Sequence, residues 1–518
     1  MKLSHEHCAL RFVIDEELVQ QIWTRVKDRQ LVTGKRKTSS SRVRYLDTPD
    51  HALEQADISL WLQRVRRHWM QTIEIGTTPQ GGLSIGDRFQ NTAPQGHPCI
   101  DAIFKRSIRD EINRQVNRSP LVPVCEAVVR RSSIELSPDS DSRAQLTIES
   151  SDILAAGRSA MLCEAEIALL TGKPGLLFDL THLLLPAGGL HFSRLSKVAR
   201  GHLLAERGCI DPPLEPYNAK EIVLHGDGSV EKAAHEILRE CLDHIFTNVT
   251  VVDKLDDSEG PHQLRVGLRR LRSAFSIFSS ALKNSEMARL SEEARWLGQE
   301  VGRLRDLDVI VTDIVQREAD RHPEELGLQE LGEALGREEK ALRERLRQII
   351  KERRCQAFLI DLARFVHIRE WLDRLDLDQT ERLAMPASEH AAAALNKRWK
   401  KTVKRARGFD SLNDEQRHEL RKELKKLRYA VEFFFSLFPA KRVEPFLKRL
   451  KKLQNVFGEL NDAAMVKATL RNGSIGGPLS AGRATGWILG ASQARAELGW
   501  IGAKSLWRRL EETKPFWR

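Results

Sequence analysis

The chain has 518 residues, of which 83 are Lys or Arg and 72 are Asp or Glu, giving a formal charge of +11 near neutrality. That length leaves room for two or three domains with their own cores, and the basic balance favours a polyanionic partner: nucleic acid, an acidic membrane or condensed phosphate. Aromatic residues make up only 6%, with three Tyr and no alternating aromatics to stack bases, so nucleic acid is not the favoured polyanion.

No apolar signal core follows Met1. The seven cysteines are odd in number and free of CxxC spacing, as expected of reduced structural thiols in a cytoplasmic protein. The most apolar stretch, Leu176 to Leu185, is interrupted by Asp179 and His182, so no membrane insertion is expected.

From residue 1 to 205, short alternating stretches such as Cys125 to Arg131, Gln145 to Ile148 and Leu162 to Leu169 are separated by turn-rich segments. The pattern predicts a mainly antiparallel sheet with a few helices. The carriers of chemistry here are Tyr45-Leu-Asp47-Thr48-Pro49-Asp50, Cys163-Glu164-Ala-Glu166-Ile167 and Leu195-Ser196-Lys197-Val-Ala-Arg200-Gly201, with Arg131. In these residues the stretch resembles the CYTH family, the triphosphate tunnel metalloenzymes. The resemblance implies an eight-stranded antiparallel tunnel barrel in which basic side chains grip a triphosphate and an ExExK motif, with further carboxylates, holds Mg²⁺ or Mn²⁺.

The chain departs from that motif. The first-strand positions read His7-Cys8-Ala9-Leu10-Arg11, so both glutamates are replaced, and Glu6 is one residue out of register. Trp61 and Gln63 stand where the family places two arginines, Glu74 where it places a lysine, and Val128 where it places another arginine. The survivors are Arg11, Arg131 and Lys197 as residual phosphate ligands, Glu164 and Glu166 as the remaining metal carboxylates, and beside them Glu149 and Arg200. The expectation is a barrel with triphosphatase activity lost or much reduced.

Residues 206–228, with Pro212, Pro213, Pro216 and Gly226-Asp227-Gly228-Ser229, predict a linker ending in a helix N-cap. From 229 to 518 the period is helical, interrupted by a Gly/Ser-rich loop at Gly473 to Gly482. Two segments carry one basic stripe in one register: His262, Arg265, Arg269, Arg272, and His418, Arg421, Lys425, Arg428, with 418 − 262 = 156. Offsets of 0, 3, 7 and 10 put four side chains within one arc of a helix. The opposite arc holds Leu264, Leu268, Leu271, Phe275, Phe278 and, in the second copy, Leu420, Leu424, Leu427, Val431, Phe434. An isolated stripe of this kind is ordinarily a solvated face. Here the same shift also maps Leu297, Gly302, Leu304 and Asp306 onto Leu453, Gly458, Leu460 and Asp462, so the segment is an internal duplication.

These paired motifs, His262-Gln-Leu-Arg265 through Arg305-Asp306 and His418-Glu-Leu-Arg421 through Asn461-Asp462, resemble the CHAD family over residues 229 to 518. The resemblance implies a pair of four-helix bundles whose basic helices line a groove that binds inorganic polyphosphate. The physical reading agrees: a phosphate chain presents repeated charge and no base, and converging Arg forks and Lys point charges meet it with charge-assisted hydrogen bonds. Arg305 and the lysines Lys448, Lys451 and Lys452 join the set. His262 and His418 either donate a proton-dependent bond to phosphate or pack the helix start, and the acids Asp306 and Asp462 orient basic side chains or cap helices.

The fold class expected is therefore α+β, an N-terminal antiparallel tunnel barrel followed by an all-α duplicated pair of four-helix bundles. No GxxxxGK[ST] loop, HExxH helix or GxSxG elbow is present. The expected function is polyphosphate binding, free or in granules, with no cofactor required. The alternative is a metal-dependent inorganic triphosphatase, using Mg²⁺ or Mn²⁺, with the helical half recruiting substrate.

Overall fold

The computed structural model describes residues 5–29, 31, 34–103, 105–185, 188, 190–373, 375–471 and 479–518. Its strands are β1 (His5–Ile14), β2 (Lys37–Asp47), β3 (Ile58–Val65), β4 (His68–Ile75), β5 (Leu83–Thr92), β6 (Val122–Leu136), β7 (Arg143–Ala155), β8 (Arg158–Thr171) and β9 (Leu190–Phe192). They pair antiparallel in the order β5-β4-β3-β2-β6-β7-β8-β1-β9, and β1 also pairs with β5, which closes the first eight into a barrel. Closure satisfies every strand edge but leaves an interior that side chains alone do not fill.

Helices α1 (Leu18–Asp28), α2 (Ala52–Gln55), α3 (Arg106–Val116), α4 (Gly175–Leu184) and α5 (Lys197–Arg207) cover the barrel. Leu46, Leu60, Leu62 and Ile73 pack with Leu53 of α2 and Ile112 of α3, whereas Val43, Cys125, Ala127, Ile153 and Leu162 pack with Val198 and Leu204 of α5. Gly201 is required at that second contact, since a Cβ there would lie 2.3 Å from the Cys125 sulfur. Asp47 is a structural residue: its buried carboxylate accepts from the backbone N–H groups of Thr48, Leu53 and Glu54, fixing the turn into α2.

The remaining helices are α6 (Val230–Lys254), α7 (Glu259–Ile277), α8 (Ser285–Asp308) continued by a π-helical turn (Val309–Val315) into α9 (Gln316–Arg321), α10 (Leu326–Lys351), α11 (Arg353–His367), α12 (Leu377–Ala384), α13 (Ala387–Arg405), α14 (Asp414–Phe433), α15 (Ala440–Arg471) and α16 (Leu479–Glu511). The duplication accounts for eight of them. Helices α6, α7, α8 and α10 begin at Val230, Glu259, Ser285 and Leu326. Helices α13, α14, α15 and α16 begin at Ala387, Asp414, Ala440 and Leu479, each within three residues of the 156-residue shift. The opposite arcs named above are the core: all ten Leu, Val and Phe positions are at most 2% exposed. The start of the Gly473 to Gly482 loop lies outside the described residues, and α16 begins within it at Leu479. The side chain of Glu6 also lies outside them. No helix among the described residues is long and apolar enough to cross a membrane.

The chain divides into two compact units, residues 1–215 with 351–368, and residues 216–350 with 369–518. Two expectations are corrected by this division. Residues 351–368, which the helical period assigns to the helical domain, belong to the barrel unit: α11 packs on α4, with His182 Nε2 2.6 Å from Asp361 and Arg364 donating to Asp179 at 2.5 Å. Residues 216–228 are not a free linker but an extended part of the helical unit. There the Tyr217 and Leu224 N–H groups donate to Asn248 Oδ1 and Ser436 Oγ at 3.1 and 2.8 Å, and Ile222 and Leu224 are buried.

Candidate functional site

Helices α7 and α14 lie against one another, each turning its Leu and Phe arc into its own core, so their basic arcs converge. The start of α14 is set by a capping box between Asn413 and Gln416, whose side chains and backbone N–H groups bond reciprocally. Along the stripes, His262, Arg265, Arg269, Arg272, Arg421, Lys425 and Arg428 are half-buried, whereas His418 is exposed.

Arg265 donates to Asp306 at 2.5 Å, bringing α8 into the cluster. Gly302 lies beside that guanidinium, where a Cβ would be in ordinary van der Waals contact, 3.4 Å from the Arg265 Cζ atom. Gly458, its counterpart, faces open space, so sterics require a glycine in neither copy. Arg305 lies 3.8 Å from Asp313 and is near enough to His262 to be the main charge acting on it.

The electrostatics record how many cations the acids leave uncompensated. Burial and then Arg269, Arg421, Arg265 and Arg428 push Lys425 down to about 6. Burial and the neighbouring Arg269 and Arg265 bring Arg421 down to about 10, against the pull of Asp462 and Asp306. Burial and Arg305 hold His262 at about 4, and burial with Lys422 and Arg421 lowers His418. Both histidines are therefore neutral at pH 7 in the absence of an anion. The Nε–H groups of Arg269, Arg272 and Arg421 are buried with no hydrogen-bond partner among the described residues. Orphan donors of this kind cost free energy unless a ligand or water meets them.

Lys448, Lys451 and Lys452 are exposed on α15. In the first repeat Glu292 and Arg295 act on Arg272, and the 156-residue shift carries those positions to Lys448 and Lys451, at the Arg428 end of the stripe. The lysines thus extend the basic face without entering its half-buried part.

The barrel interior holds a cavity of about 760 Å³. Residues alternate into it, and the strand register pairs them by charge. Arg11 is directly opposite Glu166, Glu74 opposite Arg88, and Arg131 opposite Glu149. The corresponding ion pairs are 2.7, 3.6 and 2.6 Å long. Lys197, at the first turn of α5, reaches Glu149 at 2.5 Å and Glu164 at 3.1 Å. Glu164 and Glu149 are cross-strand neighbours, so Lys197 occupies the place between them that a metal ion would need.

Although burial opposes ionisation, Lys197 and Arg131 hold Glu149 at about 2, and Arg11 and His7 hold Glu166 below the usual carboxylate range. Burial works against Lys197 too, but Glu149 and Glu164 keep it firmly protonated. The cavity therefore balances Arg11, Arg88, Arg131 and Lys197 against Glu74, Glu149, Glu164 and Glu166, four charges against four. These residues do not fit a divalent ion: Glu164 and Glu166 are each already engaged by a cation, and the first strand lines the cavity with His7 and Arg11 among its described side chains. No cluster of three or more metal-ligating side chains occurs among the described residues.

Arg11, Arg131, Lys197, Glu164 and Glu166 all line the cavity. Three positions differ. Val129, not Val128, lies on the cavity side of β6 with Arg131, two residues on. Arg200 turns away to pair with Asp211. Arg88 was not anticipated, because only the β4–β5 register brings it opposite Glu74.

A family model for the CHAD domain matches residues 236–471, a stretch that contains both basic helices. Among solved structures, the CHAD domain from the plant Ricinus communis is similar at 26% identity and a TM-score of 0.50, over 58% of this chain and 98% of its own. PptA from Streptomyces chartreusis is similar at 16% identity and a TM-score of 0.40, over 54% of this chain and 99% of its own. A Hippeastrum protein with a dominant triphosphatase activity is similar at 12% identity and a TM-score of 0.26, over 40% of this chain and 99% of its own. No curated protein matches the chain.

Proposed function

We propose that this chain binds inorganic polyphosphate through the converging basic faces of α7 and α14, and that its barrel is a catalytically impaired tunnel kept for folding, docking or weak ligand binding. The observation that carries the reading is the half-buried Arg269, Arg272 and Arg421, whose Nε–H donors have no partner among the described residues. Their charge cannot be shed, so an anion is the species that relieves it. A polymer of phosphates suits two repeats of one stripe better than a single phosphate does, because each repeat offers four basic side chains at the same spacing. Binding of this kind requires no cofactor.

The test is titration of labelled long-chain polyphosphate into the full-length protein across a salt series, with tripolyphosphate and RNA as competitors. Replacing Arg265, Arg269, Arg421 and Arg428 together by Ala is expected to weaken binding by about 100-fold or more and to reduce the salt slope by about 3. Circular dichroism of that variant should be unchanged, since the Leu and Phe arcs that hold the helices are untouched. Unaltered affinity would overturn the reading, and equal displacement by RNA would reduce it to a generic polyanion surface. The alternative, a working triphosphatase, is disfavoured by the charge-balanced cavity, in which each cation that would grip a triphosphate is held by a glutamate. Phosphate release from tripolyphosphate that requires Mg²⁺ or Mn²⁺ and is abolished by Glu164→Gln would establish it instead.

A further inference from the structure

Lys425 is the one member of the half-buried cluster that is both strongly cationic by nature and able to lose its proton. Its neighbours on α14 are Arg421, four residues before it, and Arg428, three residues after it, both on the same helix face. Across the packed pair, Arg265 and Arg269 of α7 act on it, and Asp462 of α15 opposes them. Asp306 on α8 is bonded to Arg265, and Arg305 and Asp313 lie 3.8 Å from one another. On the α13 side, Lys401 is bound to Glu423. His262 and His418 carry no charge at neutral pH in this setting.

Guanidinium groups stay protonated in proteins, so repulsion within the cluster is relieved at the amine. A polyanion laid across the two stripes reverses that balance, bringing negative charge within reach of the same amine.

Resting on the polyphosphate reading, we propose that Lys425 is neutral in the free protein and takes up a proton when the polyanion binds, so that the site is a proton-coupled phosphate receptor. The depressed affinity of Lys425 for its proton, about 6 against an ordinary lysine value near 10.4, is consistent with this. The sign follows from linkage. Uptake of one proton on binding means that affinity falls as pH rises, by about tenfold per unit where the free amine is neutral and the bound one charged. Between pH 7 and 9 the coupled contribution is thus about 100-fold weaker binding.

The experiment is isothermal titration calorimetry of the full-length protein with long-chain inorganic polyphosphate at pH 7.5, in three buffers of different protonation enthalpy. The slope of heat against buffer enthalpy gives the number of protons taken up. The reference is Lys425→Arg, which keeps the charge but cannot lose it, and Lys425→Met serves as a second variant that never carries one. Protons supplied by the polymer ends and the histidines are common to all three proteins and cancel in the difference. The expected result is that the wild type takes up about one proton more than either variant, and that the Lys425→Arg protein binds more tightly at pH 9. Binding by all three with the same proton count would overturn the proposal and leave polyphosphate binding standing. Failure of the wild type to bind at all would overturn both.

Discussion

Asp306 and Asp462 occupy one position in the two repeats, 156 residues apart, and each sits beside the first arginine of its own stripe, Arg265 and Arg421. Their circumstances differ. Asp306 holds Arg265 in a 2.5 Å contact, whereas burial raises the Asp462 carboxyl above its usual range even though Arg421 opposes this. A carboxylate in a cationic receptor competes with the ligand for the same donors and subtracts charge from the field the ligand meets. Asp306→Asn keeps the side-chain shape and removes that charge, and is expected to tighten polyphosphate binding by about 3- to 10-fold at low salt, with the gain fading above about 0.5 M salt. A fluorescence titration of the single variant against wild type at two salt concentrations measures it. The stripe itself was legible because it rests on helical periodicity, a local property. The orphan Nε–H groups and the repulsion gathered around Lys425 were not, since each depends on what a second helix brings near.

At the scale of elements, the two repeats are joined by more than their facing arcs. Arg270 on α7 is 3% exposed and donates to Glu240 of α6 at 3.2 Å and to Glu432 of α14 at 3.3 Å, with its guanidinium 4.8 Å from the ring of Phe433. It lies one residue past Arg269 and so points away from the stripe, into the seam between repeats. Arg270→Met is expected to destabilise the helical unit by about 3 kcal/mol, because it strands the partly buried Glu240 carboxylate without its cation and leaves Glu432 with Arg428 alone, and thermal melting of the full chain reads the loss. Adding Glu240→Gln should recover part of it, since the double variant leaves one fewer unpaired charge. Arg270 was hidden in plain view within an Arg-Arg-Leu-Arg run, where composition cannot say which arginine faces inward. The barrel shows the complementary limit. Alternation predicted the strands, yet the cancellation of Arg88 by Glu74 required the register between strands, and a shift by one residue is what separates Val128 from Val129.

For the whole molecule, the helical period extended the second domain from residue 229 to 518, and it was right about structure type but silent about allegiance. A helix carries the same 3.6-residue pattern whichever core it joins. Helix α11, between the two repeats, joins the barrel unit, so the backbone passes from one unit to the other three times, after residues 215, 350 and 368. Proteolysis exposes the consequence. A protease that nicks the chain once near residue 215 releases fragments 1–215 and 216–518, yet the larger fragment still carries α11 seated on α4, with His182 to Asp361 and Arg364 to Asp179 intact. The two pieces should therefore co-elute on gel filtration and part only in denaturant. Asp361→Ala with Arg364→Ala is expected to let them separate more readily after the same cut. The nicked protein would then behave as a fragment-complementation pair, with the stretch between the repeats serving as the clasp that one half lends to the other.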